Sequence, residues 1–436
     1  MKRLHQYAVA GLLVWGFMPY AAAQTRGRKV APQPPASVMQ TVKPAFSEER
    51  LARIDSTVMR SIRAGQLSGA VVAVTHEGKE IRMKAYGMAD REAKIPMKPN
   101  SIFRIASMTK AVTTVAAMIL LEEGKINLSD PVSKFIPSFA NLNVAVPRTA
   151  PKDSLQYKIV PVNRSMNIFH LLTHTSGLGY GWGAAAKLWG DANLQTWYFA
   201  NRTETLAQLV DRMATLPLEA NPGESWIYGY SSDVLGRVVE VASGMPLAQF
   251  MQERIFKPLG MVDTGYWVSP EKAGRLTNLY GLEKGKLELK EVSAQSDYVI
   301  GPKICTGGGA GLVSTAPDYT RFMQMLLNGG ELDGVRILSR KTVEVMRTNQ
   351  LGNLYNTKGW GNHQGFGFGF WVNEHAGAGE RISSGGAFGW GSAYYPIYFI
   401  DPTEKLTVLL FTQVMPWGDL KLSEQIGPLV YQAMNR

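Results

Sequence analysis

The sequence predicts an α/β domain assembled from both ends of the chain, with a helical domain inserted between the two halves. Three observations carry this. Strand-like runs stand near both ends, at 69–76 and 79–87 early and at 394–400 and 406–414 late. The span between them, above all 205–256, shows helical spacing broken by turn residues. Helix patterns flank the strands at 47–66, 314–328 and 422–434. The expected boundaries are 47–140 for the first part of the α/β domain, 141–285 for the helical, loop-rich domain and 286–436 for the second α/β part. Of the 436 residues, 45% are hydrophobic and 19% charged, which supports a large core and excludes a disordered chain.

Each element follows from local chemistry. Leu51, Ile54, Val58 and Ile62 recur at helical spacing after Ser47, a good N-cap, and Glu49, a first-turn acid. Residues 69–76 and 79–87 are joined at Glu77-Gly78 and read as a hairpin. Residues 111–123, rich in Ala, Met and Leu, read as a helix stopped at Gly124. The stretch 141–163 is irregular and Pro-rich, and 168–175 is a short helix or turn. Helices are expected at 205–216, 231–243 and 246–256, and a strand at 287–292. Gly alternates with Phe over 365–372, which reads as one strand with close-packed neighbours. Asp401-Pro402 is the turn between the last two strands.

The first 23 residues read as a secretory signal peptide. Lys2 and Arg3 precede an apolar run over 8–20 that is short for a membrane span, and Ala21-Ala22-Ala23 fits a cleavage site. Residues 24–46 read as a disordered leader rich in Pro, Gln and basic residues. No later run reaches the roughly 18 apolar residues of a membrane helix. The expectation is a periplasmic or secreted bacterial protein without stable membrane insertion. The net charge of +11 is scattered and accompanies no nucleic-acid motif. Cys305 is the single cysteine, so no internal disulfide forms, and it reads as a small buried residue.

One local motif carries chemistry. Ser107-Met108-Thr109-Lys110 is a Ser-x-x-Lys at the front of the apolar helix, which puts both side chains on one face. A Ser hydroxyl at a helix start sits where developing negative charge is favoured. A desolvated Lys one turn later gives up its proton more readily. A second Ser-x-x-Lys, Ser269 to Lys272, carries Pro and Glu, leads into no long helix, and reads as a surface turn. Gly-x-Ser-x-Gly is absent. His170 and His174 are four apart but have no third ligand or His-Glu-x-x-His context, so no metal site is expected. The His174 ring is expected to satisfy backbone groups in a turn. The glycine loop 306–311 lacks a phosphate-loop Lys and the dinucleotide spacing, so it reads as tight backbone packing and implies no cofactor.

The segment from Phe103 to Lys110 resembles the nucleophile segment of the serine β-lactamase and penicillin-binding superfamily, and is closest to the class C-like carboxylesterases called family VIII. The resemblance runs from about residue 47 to the C-terminus, through Asp130-Pro131-Val132, Leu171 to Leu178, Pro222 to Tyr228 with Asp233 to Gly236, 307–316 and 386–402. It implies an antiparallel sheet flanked by helices with a helical insertion. It also makes Tyr228 the partner base of Ser107 and Lys110. Tyr230 stands where the family has an Asn that binds substrate. Trp390-Gly391-Ser392 stands where β-lactamases carry Lys-Thr-Gly, similar to the Trp-Gly-Gly of family VIII, with Ser384-Gly385-Gly386 a second alignment that also lacks Lys. The amides of Ser107 and Ala393 would then form the oxyanion hole. Trp390 brings no positive charge for a substrate carboxylate, although Arg381 could compensate.

The resemblance therefore implies an exported serine hydrolase acting on small-molecule esters. The alternatives are a β-lactamase or D-Ala-D-Ala peptidase, an acyltransferase, and a non-catalytic envelope binding protein.

Overall fold

In the computed structural model, described over residues 45–148, 156–355 and 364–435, the two ends of the chain meet in one antiparallel sheet. The expected signal peptide lies outside the described residues, as does all of the leader except residues 45 and 46. Strands β1 (Gly69–His76), β2 (Lys79–Asp90) and β3 (Ile95–Pro96) come from the first part of the chain. Strands β4 (Gln364–Phe366), β5 (Trp371–Asn373), β6 (Phe388–Gly391), β7 (Ile397–Asp401) and β8 (Leu406–Phe411) come from the last. The spatial order is β4-β5-β6-β7-β8-β1-β2-β3. Early and late strands join at β1 and β8, where Val71 faces Phe411 and Val72 faces Leu410.

The period of two in these strands feeds two cores. Ala70, Val72 and Val74 of β1, with Val408 and Leu410 of β8, pack under helices α1 (Glu48–Arg63) and α5 (Leu422–Tyr431) through Leu51, Ile54, Val58 and Ile426. Phe46 joins this core at 5% exposure and bridges to Met434, so the last residue assigned to the leader belongs to the fold. Val71 and Ala73, with Leu409 and Phe411, point the other way, toward α4 (Ala316–Leu327) and the helices of the middle of the chain.

At the centre of that second core lies α2 (Thr109–Glu122). Every residue from Thr109 to Leu120 is buried, the signature of a helix surrounded by protein on all sides. It packs on α3 (Ser231–Ser243). One apolar cluster runs from Val71 in the sheet through Val112 in α2 to Leu235 in α3. Residues Pro44–Arg436 form a single unit by their contacts.

Two further expectations differ from the structure. The irregular stretch 141–163 contains two antiparallel strands, Asn143–Pro147 against Tyr157–Pro161, with Val144 opposite Val160 and Ala145 opposite Ile159. The single strand expected over 365–372 is two short strands, β4 and β5, that fold back on each other. Gly369, at φ +82°, makes that reversal, and a Cβ there would fall 2.5 Å from the Thr114 hydroxyl.

Candidate active site

The strand Phe103–Arg104 pairs with Val313–Ser314 and leads the chain to a single 3₁₀ turn, Ala106–Met108, at the start of α2. Ala106 is buried and has φ +37°, a left-handed value that costs energy for a residue with a Cβ. The strain sits immediately before Ser107, as backbone strain does at many reacting residues. Lys110 follows on the first turn of α2 and is 1% exposed. Its ammonium donates to the Gly309 carbonyl at 2.8 Å, to the Tyr180 hydroxyl at 3.1 Å and toward Ser107 Oγ at 3.4 Å.

The glycine loop is what holds the lysine's main acceptor in place. Asp233, from the first turn of α3, accepts from the Gly309 amide at 2.9 Å. A Cβ on Gly309 would lie 2.6 Å from the Asp233 carboxylate, so only glycine lets the loop come this close. Burial pushes the Asp233 carboxyl up to about 6, against the pull of the Lys110 charge and the loop amides.

Tyr228 lies just before α3, on the opposite side of Lys110. Its ring centroid is 4.6 Å from the ammonium, and its hydroxyl accepts from Trp390 Nε1 at 3.1 Å. Trp390 and Gly391 end β6. Of the residues of β6, strand β5 pairs with Phe388 and Gly389, so beyond Gly389 that edge of β6 has no strand partner among the described residues. Among the described residues the Ala393 amide donates to no protein acceptor.

A cavity of about 420 Å³ opens between these elements, lined by Ser107, Tyr228, Trp390, Gly391, Ser392 and Ala393. Lys110 stands directly behind Ser107. Tyr180, Trp182, Trp197, Trp371 and Trp417 make the remaining walls largely aromatic, and Arg381 adds a cation.

Tyr230 is a correction. It was expected to contact substrate, but it is fully buried and faces away from the cavity. Its ring stacks between Trp189 and Phe199, and its hydroxyl lies 2.8 Å from the Leu194 carbonyl and 2.5 Å from that of Thr196. Tyr180 packs against both tyrosines, its ring centroid 5.8 Å from that of Tyr228 at the cavity and 5.0 Å from that of Tyr230 in the core.

The histidines also differ in detail. The His174 ring does not bond the turn, and the backbone carbonyl of His174 accepts from Ile227 N, in the segment that leads to Tyr228, at 2.8 Å. The ring is enclosed by Trp226, Tyr228 and Phe366, and Nδ1 has no partner among the described residues. Burial holds its pKa down to about 3, with the Lys110 charge adding to the effect. His170 closes a reciprocal cap, its Nδ1 accepting from Asn167 N at 3.2 Å. Cys305 is buried, and burial pushes its thiol up to about 12.

Tyr180 is the residue the sequence reading missed. It is 7% exposed and is the phenol that bonds directly to Lys110, a contact across 70 positions. The available signal was its place two residues after Leu178, at the end of one of the segments that carry the resemblance.

A protein-family model described as Beta-lactamase matches residues 52–426. The chain belongs to the beta-lactamase family. Esterase EstB of Burkholderia gladioli is 32% identical over 378 residues, 83% of this chain and 90% of EstB. A Mycobacterium tuberculosis protein is 36% identical over 367 residues, 81% of this chain and 87% of its own. Among solved structures, EstCE1, described as a hydrolase with promiscuous acyltransferase activity, superposes with a TM-score of 0.74 at 28% identity, covering 88% of this chain and 99% of its own. Membership in this family and the esterases among its relatives support a hydrolase or acyltransferase of the β-lactamase superfamily.

Proposed function

We propose that this β-lactamase-family protein hydrolyses carboxylic esters through an acyl-enzyme on Ser107. The observation that supports it is convergence. The Ser107 hydroxyl, the Lys110 ammonium behind it, the Tyr228 ring and the unengaged Ala393 amide all meet at one aromatic-walled cavity.

In this reading one member of the Lys110 and Tyr228 pair is in its deprotonated form, amine or phenolate, and takes the proton of Ser107 Oγ as that oxygen attacks the ester carbonyl carbon. The carbonyl oxygen becomes an oxyanion and accepts from the Ser107 and Ala393 amides. The carbon–alkoxide bond then breaks, and the alcohol leaves with the proton returned by the pair. Water, deprotonated by the same pair, attacks the acyl-enzyme and releases the acid and free Ser107. Hydrolysis by β-lactamase or peptidase chemistry is disfavoured, because position 390 offers an indole whose N–H is already bonded to Tyr228 and not a lysine cation. Acyl transfer to an alcohol is a second reading, favoured by similarity to EstCE1. The proposed setting is the periplasm or the exterior, after cleavage near Ala23.

The test is labelling by a fluorophosphonate, lost in Ser107→Ala, together with rates on a short nitrophenyl ester and a chromogenic cephalosporin. Preference for the cephalosporin would sink the esterase reading. Product analysis with added alcohol separates hydrolysis from transfer, and the N-terminal mass of protein recovered outside the cytoplasm tests export.

A further inference from the structure

Arg381 is the one formal charge among the described residues that line the cavity, and it makes no ion pair with any of them. Arg381 follows the short turn Ala378–Glu380 and lines the cavity that contains Ser107. Its guanidinium lies 5.0 Å from the ring centroid of Trp371, another wall residue. The other residues lining this cavity carry hydroxyl, amide, aromatic or small side chains. Among the described residues Arg381 makes no ion pair, whereas Arg104, Arg254 and Arg321 each hold a carboxylate. Glu424 faces it from α5 across a second hollow of about 310 Å³, which Arg381 and Trp371 also line, and it too remains outside ion-pair contact. The Tyr355 phenol is the other titratable group facing Arg381.

Stacking on Trp371 orients one face of the guanidinium and leaves its edge N–H groups free to donate. That edge is a planar fork matched to a carboxylate. Arg381 is itself solvent-exposed, so a pair formed here is charge-assisted yet open to screening by salt. A wholly neutral ester would leave this cation without a counterpart.

We infer that the cavity takes esters bearing a carboxylate remote from the scissile carbonyl, and that Arg381 is the specificity-determining residue that receives it. This rests on the ester-hydrolase reading above.

The test uses two matched pairs. One is mono-4-nitrophenyl glutarate against its methyl ester, with the carboxylate on the acyl side. The other is 4-acetoxybenzoate against methyl 4-acetoxybenzoate, with the carboxylate on the leaving side. The wild-type protein is expected to favour the anionic member of at least one pair in kcat/KM. In Arg381→Gln that anionic-to-neutral ratio falls by about ten-fold or more, mainly through KM. Arg381→Lys recovers part of it, since charge is kept but the fork is lost. The preference also shrinks as salt is raised. Equal or better hydrolysis of both neutral esters by wild type, or ratios unmoved by Arg381→Gln, overturns the inference while leaving the esterase reading standing. Failure to hydrolyse any of the four, with no acylation of Ser107, overturns both.

Discussion

Lys110→Met is the most informative single change, because it separates chemistry from folding. In the native protein the ammonium is 1% exposed and holds the Gly309 carbonyl at 2.8 Å, Tyr180 at 3.1 Å and Ser107 at 3.4 Å. Met has similar length and no charge. Two stability terms oppose each other. The Gly309 carbonyl loses its donor, which costs about 1–3 kcal/mol. Desolvation of a buried ammonium, several kcal/mol in other proteins, is relieved. The net change in unfolding free energy is expected within about 2 kcal/mol of zero. The catalytic term has no such offset. Removing a proton-transfer group costs about 10²- to 10⁴-fold in rate, or about 3–5 kcal/mol of barrier. The assay is the rate of Ser107 phosphonylation by a fluorophosphonate, fluoride leaving, beside a urea midpoint on the same preparation. A folded Lys110→Met that is phosphonylated within ten-fold of the wild-type rate would refute the role given to this lysine.

Three other outcomes are expected. Tyr180→Phe removes the charge-assisted contact to Lys110 and should slow ester turnover by about 10- to 100-fold while shifting the urea midpoint little; unchanged turnover would make Tyr180 a wall residue only. Gly309→Ala forces a Cβ to within 2.6 Å of the Asp233 carboxylate, so the loop must shift and carry the lysine's acceptor with it; a loss of about 1–3 kcal/mol in denaturant melts is expected, together with a fall in acylation rate. For His174 the folded pKa, about 3, lies below the ordinary 6.5, so the unfolded chain binds the proton first on acidification. Stability from this group is complete above pH 6.5 and falls as pH drops toward 3, by about 2–3 kcal/mol between pH 6.5 and 4.5. His174→Gln should flatten that part of a stability–pH profile, and an unchanged slope would show that other groups carry it.

Much of the fold was legible because its signals are local. A short apolar run bounded by turn residues marks a strand buried on both faces, and β1 and β8 announce themselves in this way from opposite ends of the chain. Helix α2 was readable from its composition and its glycine stop. Short pairings such as 143–147 with 157–161 were not, since five residues of weak alternation look like loop until a partner is in register.

The sequence by itself determined the order of the chemical groups: Ser107 and Lys110 one helical turn apart, Tyr228 ahead of a helix, and Trp390 in place of a lysine on a late strand. Those are facts about neighbours along the chain. Only the tertiary structure decided which side chains share a space. It turned Tyr230 into the core between Trp189 and Phe199, brought Tyr180 to the lysine, and set Arg381 against Trp371 at the cavity wall, outside any ion pair among the described residues. The physical reason is that a side chain's partners depend on the direction of its Cα–Cβ bond and on what packs across from it. Neither is written in the spacing of residues along one strand or loop.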